Sequence, residues 1–251
     1  MSGHSKWSTI RHKKGAADAK RGKVFTKIIK EITVAARLGG GDADGNPRLR
    51  RAMDLAKSHN MPNDNVVRAV KKGTGELDGV NYEELTYEGV GPGGTLFAID
   101  VVTDNRNRTA PEIRKIFERH NGQLGSAGSA LWAFDDKGVV RLPLEAAGEE
   151  RIFEVAVNAG ADDVEALDDE WVVTTPRDGL DEVREALQRA AIEVTSTELD
   201  RSARNKKHVD AQDAETLMKL IDTLEDHDDV QRVSSDFELS QAALERLATD
   251  G

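Results

Sequence analysis

Near residue 80 the spacing of apolar residues changes, and that change limits what the chain can build. Before it, apolar residues recur every three or four positions, the period of a helix with one buried face. Val24, Phe25, Ile28, Ile29, Ile32, Ala35 and Ala36 form one such stripe, and Gly39 to Gly41 end it. Asn46-Pro47 supplies a cap and a first-turn proline for a second helix carrying Leu49, Ala52, Met53 and Ala56. A break at "NMPN" precedes a third helix with Val66, Val67 and Val70, stopped by Gly73 and Gly75. Three narrow stripes predict a small helical bundle.

After "KKGTGELDG" the period falls to two. "ELTYEGVG" and "TLFAIDVVTD" read as strands joined by a Pro-Gly-Gly turn. Thr109 to Glu112 has the form of a capping box, which predicts a helix from there to about His120. "SALWAF" reads as a further strand, with Trp132 and Phe134 alternating toward a core. From 137 to 200 the order becomes strand, helix, strand, strand, helix, strand, from "GVVRLP" to "EVTSTEL", the split βαβ pattern of a ferredoxin-like unit. One helix, with Leu217, Leu220, Ile221 and Leu224, and one strand, "RVSSDFEL", remain. Neither can bury its apolar face alone, so both are expected to return to the sheet begun at residue 84. The expected fold is multi-domain α and β: an N-terminal helical bundle, then an α+β domain with an inserted ferredoxin-like domain. The expected boundaries are 1–78, then 79–135 with 205–240, and 136–204 for the insertion.

Charge divides the chain at nearly the same place. The 251 residues carry a formal charge of -11, yet residues 1–75 hold 17 Lys and Arg against 6 Asp and Glu, while 76–251 hold 18 against 40. A single-signed field over a whole unit is a statement about partners, and the first unit is expected to seek polyanions. With no cysteine, disulfides, thiolate zinc sites and cysteine nucleophiles are excluded. No apolar run approaches the length of a membrane span. No apolar segment follows the basic start as it does in a targeting peptide, so a cytoplasmic protein without membrane partners is expected.

The chemistry-bearing motifs argue mostly by failing. "GVGPGG" matches G-x-G-x-x-G but is followed by a strand rather than a helix, so it reads as a hairpin turn. "DADGN" lacks the later glutamate of a calcium loop, and "DDVEALDDE" reads as a strand edge with solvated carboxylates. The six histidines are scattered without ligand spacing, and no G-x-S-x-G is present. A non-enzymatic protein without metal, cofactor or small-molecule ligand is expected. The opening "GHSKWSTIRHKK" is different. Lys6, Arg11, Lys13 and Lys14 are suited to phosphates, His4 and His12 to hydrogen bonding, and Trp7 to a base. Lys20, Arg21, Lys23, Lys27 and Lys30 continue that charge along the first helix. In "TDNRNRT", Arg106 and Arg108 precede the expected helix start and are candidates for a phosphate contact.

"MSGHSKWSTIRHKKGAADAKRGKVFTKIIKEI", "GNPRLRRAMDLAKSHNMPNDNVVRAVKKG", "YEGVGPGGT", "TDNRNRT", "GSALWAF" and "LIDTLEDHDDVQRV" occur in an order that resembles the YebC family, also called YebC/PmpR, over essentially the whole chain. The resemblance implies the same three-domain fold and a non-enzymatic regulator of gene expression. Family members are commonly labelled as DNA-binding transcriptional regulators. A mitochondrial relative is regarded as a translational activator, and bacterial members look like ribosome-associated factors that assist peptide synthesis. Carried onto this sequence, the functional positions are Lys6, Trp7, Arg11, His12, Lys13 and Lys14, with Arg106 and Arg108 secondary. Nucleic acid is the expected partner, with ribosomal RNA and the ribosome favoured. The alternative is DNA at promoters, read by the helices at 47 to 72 through Asn63, Asn65, Arg68 and Lys72. An enzyme or small-molecule sensor rests on fold analogy alone.

Overall fold

The computed structural model describes residues 17–167 and 170–244, with side chains from residue 22 onward. Its first unit contains α1 (Ala17–Gly39), α2 (Pro47–Ser58) and α3 (Asn63–Gly73). Ile28, Ile32, Ala35 and Ala36 form the buried stripe of α1 and meet Leu49, Ala52 and Ala56 of α2 and Val66 and Ala69 of α3. Gly40 takes φ +85°, and its N–H closes on the Ala36 carbonyl at 2.9 Å, the left-handed stop that a side chain resists. Asn46 then serves both helices. Its Oδ1 caps α2 by accepting from the Leu49 N–H at 3.1 Å, while its Nδ2 donates to Ala35 and Gly40 carbonyls at 2.8 and 2.9 Å. At the other contact, a Cβ on Gly73 would lie 2.4 Å from the Thr33 carbonyl oxygen, so α3 meets α1 where only glycine fits.

The central unit is built on a hairpin of β1 (Glu83–Val90) and β2 (Leu96–Thr103), paired antiparallel from Glu83↔Thr103 to Val90↔Leu96. Next come α4 (Arg106–Arg119) and the short β3 (Gln123–Leu124). The chain then leaves through β4 (Phe134–Pro143), α5 (Glu149–Asn158), β5 (Asp163–Leu167), β6 (Glu170–Pro176), α6 (Leu180–Arg189) and β7 (Ser196–Ala203). It returns as β8 (Lys207–Val209), α7 (Ala211–Glu225), β9 (Val230–Ser235) and β10 (Phe237–Leu239). The returning β9 pairs antiparallel with β2, giving the sheet order β3-β1-β2-β9, while β8 and β10 form a small parallel pair. On one face of the sheet Phe97, Ile99 and Val101 pack under Ile113 and Phe117 of α4 and Leu217, Leu220 and Leu224 of α7. Phe97 and Phe117 meet edge to face, with centroids 5.6 Å apart.

The excursion forms its own antiparallel sheet, β5-β6-β4-β7, the strand order of the ferredoxin-like unit. Val140, Leu142, Trp171 and Val173 face Ile152 and Ala156 of α5 and Leu180, Val183 and Leu187 of α6. The acidic β5 is the sheet's edge strand, with Asp163 and Glu165 exposed. The overall class is as expected: a helical bundle, then an α+β unit with a ferredoxin-like insertion.

Four local expectations fail. The first is "RVSSDFEL" as one strand: it forms two, of which β9 joins the main sheet while β10 pairs with β8. The helix expected from Thr109 begins one turn earlier, because Asn105 Oδ1 accepts from the Arg108 N–H at 3.2 Å and Thr109 instead donates to Asp229 at 2.6 Å. The strand expected over "EVTSTEL" is displaced to Ser196–Ala203. "SALWAF" is mostly a 3-10 turn over Leu131–Ala133, and the strand starts only at Phe134. A turn of period three breaks the alternation. Phe134 is buried, but Trp132 points outward and is 63% exposed.

Candidate nucleic-acid interface

Apart from half-buried Arg50, the described cations of the helical unit fall into two groups. In the first, lysines three and four residues apart share a face of α1 and meet the carbonyl end of α7. The last C=O groups of a helix have no partner of their own and carry the negative end of its dipole. Lys23 Nζ reaches the Asp226 carbonyl at 3.1 Å and its carboxylate at 3.3 Å, and Lys27 Nζ reaches the Glu225 carbonyl at 2.5 Å. Lys30 is buried, with Nζ donating to the Asp228 carbonyl at 2.9 Å and to Asp229 Oδ1 at 2.6 Å. Arg37 donates to the Tyr82 carbonyl at 2.6 Å, Arg48 bridges Glu31 and Glu84 at 2.7 and 2.6 Å, and Arg51 pairs with Asp181 of α6 at 3.1 Å. Much of the charge contrast between the two parts of the chain is therefore satisfied inside the molecule.

Asp229 is the centre of this joint. Only 3% exposed, it accepts from Lys30, from the Thr103 hydroxyl at 3.0 Å and the Thr109 hydroxyl at 2.6 Å, and from Arg108 Nη2 at 3.0 Å. Burial alone would raise its pKa, but these donors and the Lys30 charge hold it well below the usual carboxylate range. No local sequence pattern marks it: Asp229 lies 199 residues from Lys30.

The second group comprises Lys57 on α2 and Arg68, Lys71 and Lys72 on α3, all exposed and without an ion pair among the described residues. Positions 68, 71 and 72 are three and four apart, so they share the face of α3 away from buried Val66 and Ala69. This is a cationic helix face turned to solvent.

The expected site residues are placed unequally. Lys6, Trp7, Arg11, His12, Lys13 and Lys14 lie outside the described residues. Lys20 and Arg21 lie on α1, with side chains outside them. Lys23 sits in the joint with α7. Arg106 and Arg108 are in the first turn of α4 rather than in a loop before it. Arg106 is exposed and makes no ion pair among the described residues, whereas Arg108 Nη2 lies between Asp104 at 2.7 Å and Asp229 at 3.0 Å. The two arginines thus have different jobs: one extends to solvent, the other binds the acidic hub.

The sequence reading assigned no role to Glu88. Only 3% exposed, its carboxylate accepts from the backbone N–H groups of Gly128, Ala130 and Leu131 at 2.6, 2.6 and 2.7 Å. Those three bonds outweigh the effect of burial and lower its pKa. They also fix the turn that presents Trp132. The alternation of "LTYEGVG" puts Glu88 with Thr86 on the face away from Leu85 and Tyr87, so no local pattern marks it as buried.

No helix among the described residues is long and apolar enough to cross a membrane. Fold and charge together define a three-unit chain in which a basic helical bundle is clamped by its own lysines to an acidic α+β body. Residues 5–76 match the model for the TACO1/YebC protein N-terminal domain, and residues 82–237 match that for the TACO1/YebC second and third domain. The chain belongs to the TACO1/YebC family. It is 54% identical over 247 residues to a protein of Geobacter sulfurreducens named "Probable transcriptional regulatory protein", covering 98% of this chain and 100% of that one. A protein of Chlorobium chlorochromatii with the same name is 50% identical over 250 residues, 99% of this chain and 100% of that one. The crystal structure of a conserved hypothetical protein of Aquifex aeolicus superposes with a TM-score of 0.83 at 40% identity, covering 89% of this chain and 93% of that one.

Proposed function

We propose that this protein is a non-catalytic regulator of gene expression that binds nucleic acid through its N-terminal unit, with ribosomal RNA as the target and peptide synthesis on the ribosome as the process assisted. The observation that carries the reading is the division among the basic side chains. Lys23, Lys27, Lys30, Arg48 and Arg51 are occupied by other parts of the molecule, while Lys57, Arg68, Lys71 and Lys72 remain turned to solvent. The N-terminal unit carries six further cations by sequence, Lys6, Arg11, Lys13, Lys14, Lys20 and Arg21. An acidic body at their back keeps phosphate contacts on one side of the molecule. A basic segment with one aromatic residue, Trp7, suits an irregular RNA surface, where unpaired bases offer faces to stack on.

A second reading, DNA at promoters, is favoured by the names of the relatives. The pair α2 and α3, with Asn63, Arg68 and Lys72 exposed, is the element that would enter a groove. In vivo cross-linking followed by sequencing of the recovered nucleic acid separates the two. Enrichment of ribosomal RNA supports the first, and discrete promoter fragments support the second. Under either, neutralising about five phosphates gives a slope near -4 in log affinity against log salt. Charge reversal by Lys13→Glu with Lys14→Glu is expected to abolish binding, measured by filter retention. Unchanged affinity in that variant removes these lysines from the interface.

A further inference from the structure

We propose that Trp132 and the segment from Arg204 to Lys207 form a second RNA contact, on the central unit, in which an unpaired base stacks on the indole and the neighbouring lysines neutralise its phosphates. The inference rests on the nucleic-acid reading above and extends it to a region far from the N-terminal cations in sequence.

Three observations meet here. The first is preorganisation. Glu88 pins the backbone at Gly128, Ala130 and Leu131, while Leu131, Ala133 and Phe134 pack against Leu96 and Ala98 of β2. The indole Nε1–H donates to the Ser129 carbonyl at 3.1 Å. The polar atom of Trp132 is therefore satisfied inside the turn, while most of its surface faces solvent. An aromatic side chain held this way stacks on a base without ordering a loop first.

The second observation is position. The Arg204 N–H donates to the Ala133 carbonyl at 2.9 Å, so the chain leaving β7 runs beside the turn. Lys206 is two residues further on, at most about 7 Å along the chain. The Lys207 N–H bonds the Asp236 carbonyl at 2.7 Å, and the Asp236 N–H bonds the Leu96 carbonyl at 3.3 Å, so this segment sits at the same end of the sheet that Leu131 and Ala133 cover.

The third is charge. From Arg201 to Val209 the sequence "RSARNKKHV" has four cations and a histidine and no carboxylate, within a stretch, 76–251, where carboxylates outnumber cations 40 to 18. Arg201 is held by Asp100 and Asp136, Arg204 by Asp135 and His208 by Glu238. Lys206 and Lys207 are exposed with no ion pair among the described residues, although the Asp236 carboxyl lies near enough to feel the Lys207 charge. Among the described residues the other prominently exposed aromatic, Phe153, makes the contrast. It is 53% exposed, but its groove is lined by Glu150, Glu154 and Glu182 as well as Arg151 and Arg189, which offers no net attraction to phosphate.

The test is fluorescence anisotropy of the full chain with a fluorescein-labelled oligoadenylate. Trp132→Ala is expected to weaken binding roughly 5- to 100-fold, the loss of one base stack, with the salt slope unchanged. Trp132→Phe keeps a ring face and is expected to retain most of the affinity. Lys206→Gln with Lys207→Gln is expected to reduce the salt slope by about 1.4, because two phosphate contacts are lost. Because the residues changed are exposed, an unaltered thermal transition checks that each variant folds. If the wild type binds and Trp132→Ala binds equally well, the inference is overturned, and the indole then serves a protein contact or none. A wild-type chain that does not bind the oligonucleotide overturns this inference alone, and in vivo cross-linking decides the nucleic-acid reading separately.

Discussion

The helical unit and the inserted ferredoxin-like unit are joined to the same central sheet by different physical means. The insertion is reached by two chain crossings, and its strands β4 and β7 pair in an unbroken ladder from Arg141↔Ser196 to Phe134↔Ala203. The ladder ends on the central unit, where Phe134 and Ala203 pack with Leu96 and Ala98. Asp100 locks the junction, accepting from Arg201 and Arg232 at 2.6 Å each and from Thr86 at 2.9 Å. The helical unit is connected by one crossing, through residues 74–82, and no strand pairing links it to the sheet. Its hold consists of side chains: Lys23 and Lys27 on carbonyls at the end of α7, Lys30 on the Asp228 carbonyl and Asp229 just beyond it, and Arg48 and Arg51 on Glu84 and Asp181. A backbone ladder is indifferent to ionic conditions, whereas a joint made of lysines and carboxylates responds to both acid and salt. The basic unit is thus attached by the same type of interaction with which it would grip a polyanion.

The largest effect should come from removing the buried partner of Lys30. Asp229→Ala leaves the ammonium of buried Lys30 facing two carbonyls and the Tyr82 ring, and is expected to cost about 3–5 kcal/mol in urea denaturation. Faster hydrogen exchange should follow in α1 and in the last turn of α7, while the β4–β7 ladder stays protected. A loss below about 1 kcal/mol would mean that the Asp228 carbonyl suffices for Lys30, and the joint would not depend on its carboxylate.

Asp100→Ala tests the other junction, with a smaller expected loss of about 1–3 kcal/mol. Its arginines keep other partners, Arg201 with Asp136 at 3.2 Å and Arg232 with the Leu199 carbonyl. Acid sharpens the contrast. In Asp229 and in Asp100 the attraction of cationic donors exceeds the effect of burial, so both carboxyls titrate below their ordinary value of 3.8. Groups of that kind add stability above the unfolded pKa and lose it as pH falls toward the depressed folded value. Wild-type stability should therefore decline below about pH 4, and Asp229→Ala should flatten that decline more than Asp100→Ala. Equal flattening in the two variants would remove the distinction drawn here.

The sequence disclosed those parts of the fold that depend on neighbours along the chain. The α1 stripe, the Asn46-Pro47 cap and the Pro-Gly-Gly hairpin turn all lie within a few residues of what they determine. The ferredoxin-like order of elements was legible because each element carried its own period. What failed was decided from a distance. Thr109 looks like a cap in "TAPE", but Asp229, 120 residues away, takes its hydroxyl, and Asn105 opens the helix instead. Trp132 looks like an alternating strand residue until Glu88, from another strand, bends residues 128 to 131 into a turn. The basic composition of the first unit was plain, but composition could not say which cations face solvent. Only the contacts of α1 with the end of α7 and the turn after it separate Lys23 and Lys30 from Arg68 and Lys72.

The smallest effect lies at the outer end of the same lysine row. Lys23 and Asp226 are 43% and 61% exposed at their side chains, so solvent and salt screen the pair, and their coupling should not exceed about 0.5 kcal/mol. A double-mutant cycle with Lys23→Ala and Asp226→Ala isolates the carboxylate, because the Asp226 carbonyl that Lys23 also reaches remains in both aspartate backgrounds. If Lys23→Ala costs clearly more than the coupling energy, the helix-end carbonyl is the real anchor, and that excess should persist when salt removes the coupling. If instead the whole cost is coupling and vanishes in salt, the outer lysine is a solvated pair that a phosphate could displace. In that case the hold of α1 on the body rests on Lys27 and Lys30.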